Sequence, residues 1–226
     1  AVWLDDYLKD FPGKTDVLRY VLCSILPEQK DADFTWSDFQ AKNNNELVNN
    51  LGNFVNRALV LTNKYWGGKV PEKGVLTEAD RGVLSEFREF PMRISSSIEQ
   101  HRYKEALSIL MKLSDLGNKY LAENEPWKLI KEDEERVKTI MNVAIQITAS
   151  LAILMEPFLP ETSIRLKKMM NLQEITWESL GENNISEGHQ INKAEHLFSR
   201  LEDKIVAEQR EKLQKAKEAS EANSRE

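Results

Sequence analysis

The stretch Asn43-Asn44-Asn45-Glu46-Leu47-Val48-Asn49-Asn50-Leu51-Gly52-Asn53-Phe54-Val55-Asn56-Arg57 carries seven asparagines, yet its apolar residues recur at helical spacing. Leu47, Leu51, Phe54, Val55, Ala58 and Thr62 fall on one stripe, with Glu46, Asn49, Asn50, Asn53, Arg57 and Lys64 roughly opposite. Asparagine is a mediocre helix former because its amide competes for nearby backbone groups, so packing rather than propensity must hold this helix. Its outer face is then free for hydrogen bonding. Asn53 and Arg57 stand one turn apart, and their amide and guanidinium groups can meet the edge of a nucleic-acid base. The plainer reading of the pair is a solvated helix face, favoured for such residues taken alone.

Working outward, Thr35 or Ser37 can cap this helix, and Gly67-Gly68 stops it after about Tyr65. Upstream lie a short amphipathic piece, Ala1 to Leu8, a break at Phe11-Pro12-Gly13-Lys14, an apolar helix from Thr15 to Leu26, and a polar turn from Glu28 to Asp33. Downstream, Thr77-Glu78-Ala79-Asp80 reads as a capped helix start, with Pro91 as a kink before Ile98. Tyr103 to Leu121 shows one clear inward face, and Glu132 to Met155 is apolar almost all round beyond Ile140, the mark of a central helix. Pro157 and Pro160 precede a short helix from Thr162 to Met170. Gln173 to Ala194 loses its period and reads as a surface loop or a few short strands. From Leu197 the chain is helix-prone but almost without apolar residues beyond Val206, so it is expected to project or fray. The fold expected is all-α, an up-and-down or orthogonal helix bundle.

The 226 residues are 41% hydrophobic, enough for a sizeable core. No apolar run approaches the roughly 20 residues of a bilayer span, so no membrane is expected as a partner. The lone Cys23 sits in an apolar run and is expected to be a small buried thiol, in a reducing compartment. His101, His189 and His196 have no metal-ligand spacing. A net charge of −6 argues against a broad basic surface for gripping nucleic acid, and leaves local base readout open.

A second unusual word is Asn124-Glu125-Pro126-Trp127, where Pro126 suits a first helical turn and sets Trp127 at a helix start. A tryptophan there can fold back over the helix junction, or it can stack under an unpaired base while neighbouring amides read the base edge. With Asn53 and Arg57 it would form a base pocket if the helices carrying them pack side by side.

These words resemble the C-terminal, anticodon-binding part of methionyl-tRNA synthetases, class I aminoacyl-tRNA synthetases, over almost the whole chain. The resemblance rests on Asn43 to Val48, Gly52-Asn53-Phe54-Val55-Asn56-Arg57, Asn124-Glu125-Pro126-Trp127-Lys128 and Leu197-Phe198-Ser199-Arg200-Leu201-Glu202, in that order. Leu18-Arg19-Tyr20 and Phe34 to Phe39 look like the passage from the family's catalytic body into its bundle. The resemblance implies residues 1–34 as the end of the catalytic body, in its stem-contact region, 35–196 as the anticodon-binding bundle, and 197–226 as a C-terminal helix and linker. It also implies that Asn53 and Arg57 contact anticodon bases and that Trp127 stacks on the first one, in a methionine tRNA bearing CAU. Asn56 and Asn124 are supporting residues, Asn124 serving equally well as a cap.

The family's His-Ile-Gly-His-type and Lys-Met-Ser-Lys-Ser-type signatures are absent, so this stretch is expected to be a fragment that forms no methionyl adenylate by itself. By the same resemblance it needs no cofactor of its own. ATP, magnesium and, in members with a zinc-binding insertion, zinc serve the full-length enzyme. Its partners would be tRNA, its own catalytic domain upstream and, in some members, a further tRNA-binding or dimerising domain; its place is the cytoplasm. Two other readings stand beside this one: a helical protein-interaction module, and the equivalent bundle of another class I synthetase. The interaction module would be favoured if Asn53, Arg57 and Trp127 lay far apart or Trp127 were wholly enclosed.

Overall fold

Thr35 does open the asparagine-rich helix: its hydroxyl accepts from the Asp38 amide in a computed structural model that describes residues 3–28, 33–173 and 175–223. From that cap the chain runs as α3 (Trp36–Ala41), an eleven-residue π-helical stretch (Lys42–Gly52) and α4 (Asn53–Trp66), which Gly67 ends in the left-handed conformation at φ 61°. Such i→i+5 winding is uncommon beyond a single turn. Leu47, Leu51, Phe54, Val55, Ala58 and Thr62 are all buried, as their spacing predicts. The asparagines divide. Asn43 and Asn44 are buried rather than outward, because each amide bonds the backbone of a distant segment: Asn43 Nδ2 donates to Ser199 O at 2.9 Å, and Asn44 exchanges two hydrogen bonds with Leu201 at 2.8 and 3.0 Å.

Around this helix pack α2 (Thr15–Ser24), α7 (Tyr103–Asn124) and α9 (Glu134–Leu154). Residues Ile140 to Met155 are buried without exception, so α9 is the central helix its composition announced. It also corrects an expectation: by length and composition it is apolar enough to cross a membrane, but 94% of its apolar window is covered by the bundle. α1 (Leu4–Asp10) precedes Gly13, whose φ of 72° turns the chain into α2. The expected kink at Pro91 is a full break. α5 (Glu78–Phe87), capped reciprocally by Thr77 and Asp80, ends before α6 (Phe90–Glu99), which takes Pro91 into its first turn. After the short α8 (Pro126–Leu129) and α9 comes α10 (Pro160–Met169).

Among the described residues no strand forms. Between Gln173 and Ala194 the chain makes one 3₁₀ turn, Trp177–Ser179, and a single bridge from Gln190 to Lys69. The C-terminal segment is better anchored than its composition suggests. Leu197 to Leu201 is an irregular strap held by Asn43 and Asn44, and α11 (Asp203–Asn223) lies against α3. Lys212 Nζ reaches Asp10 at 2.6 Å, Gln209 donates to the same carboxylate, and Val206 is buried. From Glu211 to Ala219 the helix is exposed, as expected of a projecting end. Cys23 is half-buried rather than buried; burial, with Glu28 nearby, pushes its thiol up to about 11. The polar turn expected at Glu28 to Asp33 falls largely on residues 29–32, outside the described residues.

Candidate nucleic-acid interface

Gly117, in the middle of α7, is buried against the ring of Phe54, and a Cβ there would sit 2.4 Å from two ring carbons. Glycine costs a helix interior about 0.5–1 kcal/mol relative to alanine, so the sequence has given up helix stability for close approach. The approach of α7 to α4 sets Asn118 against Asn53 and Arg57. Arg57 Nη2 donates to Asn118 Oδ1 at 2.6 Å, and Asn53 Nδ2 to the same oxygen at 3.3 Å. Behind them, Asn118 Nδ2 donates to the backbone oxygen and side-chain oxygen of Asn50 at 3.0 and 2.9 Å, and the Ser114 hydroxyl also donates to Asn50 Oδ1.

At the end of α7 the backbone turns through Glu125, a non-glycine residue at φ 41°, and Pro126 opens α8. That reversal carries Trp127 back beside α4, where the Arg57 guanidinium carbon lies 5.6 Å from the indole centroid. Trp127 remains 36% exposed, so one of the largest side chains stays partly in water. Burial holds the pKa of Arg57 below its ordinary value, although a guanidinium keeps its charge, and its Nε has no partner. Asn53, Arg57 and Trp127 thus form one cluster: an exposed amide, a cation and an accessible indole face. Such a set can stack a planar ring and hydrogen-bond its edge.

The two supporting candidates lie beside the cluster rather than in it. Asn56, half-buried, lines an adjoining hollow of about 430 Å³ that shares Asn53 with the cluster and is otherwise walled by residues such as Asn49, His196 and Phe198. Asn124 is no N-cap, since Glu125 holds that position; its amide donates to Tyr120 O at 2.8 Å and accepts from Arg136 at 3.0 Å. Arg136 makes a two-point pair with the fully buried Asp80, which also accepts from Tyr120 at 2.6 Å. Burial alone would raise that carboxyl, but Arg136, Tyr120 and Thr77 together hold it down at about 2. Asn124 therefore ties the base of the Trp127 turn to a buried charge network. Sequence reasoning missed Asn118, Asn50 and Ser114. The signal available was Gly117, a residue of poor helix propensity on the buried stripe of α7, with the amide of Asn118 next to it. Among the described residues, no group of three or more His, Cys, Asp or Glu side chains could hold a metal ion.

Comparison with known proteins bears on this cluster. A family described as the anticodon binding domain of methionyl tRNA ligase matches residues 70–218, and the class I tRNA synthetase family for methionine matches residues 1–59. The methionine–tRNA ligase of Christiangramia forsetii is 56% identical over 97% of this chain. The chain belongs to the methionyl-tRNA ligase family. That of Phocaeicola vulgatus is 53% identical over 98% of the chain, and in both cases the chain spans about a third, 33%, of the relative's length. Among solved structures, Mycobacterium tuberculosis methionyl-tRNA synthetase in its free state superposes with a TM-score of 0.79 at 23% identity, covering 83% of this chain and 39% of that one. That likeness establishes the all-α bundle as the fold of this chain. Membership in the methionyl-tRNA ligase family also sets aside the bundle of another class I synthetase.

Proposed function

We propose that this methionyl-tRNA ligase chain reads the CAU anticodon of methionine tRNA through Asn53, Arg57 and Trp127. The observation that carries the reading is that Arg57 lies against the partly open Trp127 indole and shares Asn118 with the exposed Asn53, so that side chains from two segments more than sixty residues apart in sequence meet at one site. Trp127 supplies the platform on which the first anticodon base stacks, and Asn53 and Arg57 meet its edge. A wrong base leaves those polar groups unpaired, at about 1–3 kcal/mol per contact. The protein-interaction module is disfavoured by the same geometry, since the three residues are neither separated nor enclosed.

By this reading the chain forms no methionyl adenylate alone. Methionine activation, with its ATP and magnesium, and any bound zinc, belong to the family's catalytic region, and no step of that chemistry is assigned to these residues. Residues 1–34 serve as the junction to that region, 35–196 as the anticodon reader and 197–226 as the segment leading toward any appended domain. Asn56 and Asn124 support the site indirectly, and the setting is the cytoplasm, where tRNA is charged. The test is binding of a CAU anticodon stem-loop, at low salt, to the wild-type chain and to Trp127→Ala. Stacking contributes about 1–3 kcal/mol per base, so the substitution should weaken CAU binding by roughly five- to a hundredfold. Equal binding by both proteins contradicts the reading.

A further inference from the structure

We infer that Asn118, which stands behind Asn53 and Arg57, decides which first base the anticodon site accepts by fixing which end of the Asn53 amide faces the ligand; this rests on the anticodon reading above. The two ends of an asparagine amide have nearly the same shape and opposite hydrogen-bonding character, so neighbours set the polarity. For Asn118 the neighbours leave no choice. The Asn50 backbone oxygen can only accept, and it takes Asn118 Nδ2 at 3.0 Å; the Arg57 guanidinium can only donate, and it reaches Asn118 Oδ1 at 2.6 Å. The Asn118 oxygen therefore faces α4.

That oxygen dictates the next amide. Asn53 turns its Nδ2 to Asn118 Oδ1 at 3.3 Å, which leaves the Asn53 carbonyl oxygen as the end presented outward from an exposed side chain. Arg57 contributes only donors. The site thus offers one acceptor beside donors, the complement of a base edge with an exocyclic amino group next to ring acceptors. Cytosine has that edge; uracil places a carbonyl oxygen where cytosine has its amino group, and would meet the Asn53 oxygen with like polarity. Ser114, which donates to Asn50 Oδ1 at 3.0 Å, and the second Asn118 bond to the same oxygen at 2.9 Å brace the relay from behind. Without Asn118, the Asn53 amide is free to turn its Nδ2 outward and accept uracil. Asn118 is in this sense a positioning residue: it selects cytosine through another side chain.

The experiment compares dissociation constants of CAU and UAU anticodon stem-loops for the full 226-residue chain and for Asn118→Ala. A preference for CAU of about tenfold or more in the wild type should fall to within about threefold in the variant, the scale of one lost edge contact. A purely structural role would weaken both stem-loops together and keep their ratio, and an unchanged ratio overturns the inference. Should Asn118→Ala lose cooperative melting, Asn118→Ser is read in its place, with the same collapse expected. Failure of the underlying reading looks different: the wild type then shows no CAU preference, or Trp127→Ala keeps it.

Discussion

At the scale of single residues, Gly117 and Asn118 place what Asn53, Arg57 and Trp127 present. A methyl group at position 117 cannot coexist with the Phe54 ring at 2.4 Å, so Gly117→Ala must push α7 from α4. The alanine improves helix propensity by up to about 1 kcal/mol, and overpacking costs about 1–3 kcal/mol. We expect a net loss of stability by urea melting and weaker CAU binding together; unchanged values for both would show that the close approach of Phe54 is dispensable. The candidate trio Asn53, Arg57 and Trp127 was readable because their residue types fit base recognition and their words resemble a family's. Asn118 was not, since a half-buried amide on a long helix is recognised only once its partners from Asn50 to Arg57 are in view.

At the scale of elements, two devices fix the bundle around the site. The first is the Asp80–Arg136–Tyr120 network joining α5, α7 and α9. The folded-state pKa of Asp80, about 2, lies below its ordinary value of 3.8, so its stabilisation is present above about pH 4 and lost as pH falls toward 2. Asp80→Asn should destabilise the chain by about 3–5 kcal/mol at pH 7, because it leaves Arg136 without its charge partner, and should flatten the acid limb between pH 4 and 2. A melt in which the variant keeps the wild-type acid limb would deny Asp80 that role. The second device is the clamp of Asn43 and Asn44 on the strap from Leu197 to Leu201. Asn44→Ala strands the Leu201 amide N–H, while the carbonyl keeps its bond from Gln40 Nε2 at 3.0 Å; the loss, at about 1–3 kcal/mol, should speed proteolysis near residue 201. No change in cleavage rate would mean that the other ties to the strap, from Asn43, Gln40 and Arg165 among them, hold it without Asn44.

Helical periodicity made α4, α7 and α9 legible, since each buries a stripe or its whole girth. What it could not show was the inward turn of Asn43 and Asn44, because their partners lie more than 150 residues away in sequence. For the same reason the tail looked free: the ties from Gln209 and Lys212 to Asp10 are made by polar side chains, which carry no periodic signal.

For the whole molecule, net charge and site composition predict how binding responds to salt. The chain is acidic, at −6, and its base-reading cluster contains one cation, Arg57. Each neutralised phosphate adds about −0.7 to −0.9 to the slope of log K on log salt, so stem-loop binding should show a slope shallower than about −2. A slope steeper than about −4 would reveal a broad phosphate grip rather than base readout.

The central claim is that a base stacks at Trp127, and the chain's five tryptophans offer a direct reading of it. In a ¹⁵N-labelled sample titrated with the CAU stem-loop, the indole N–H resonance assigned to Trp127 by its loss in Trp127→Phe should shift saturably, while those of Trp3, Trp36, Trp66 and Trp177 stay in place. Saturable binding of the loop that leaves the Trp127 resonance unmoved, or moves another indole instead, would contradict the account.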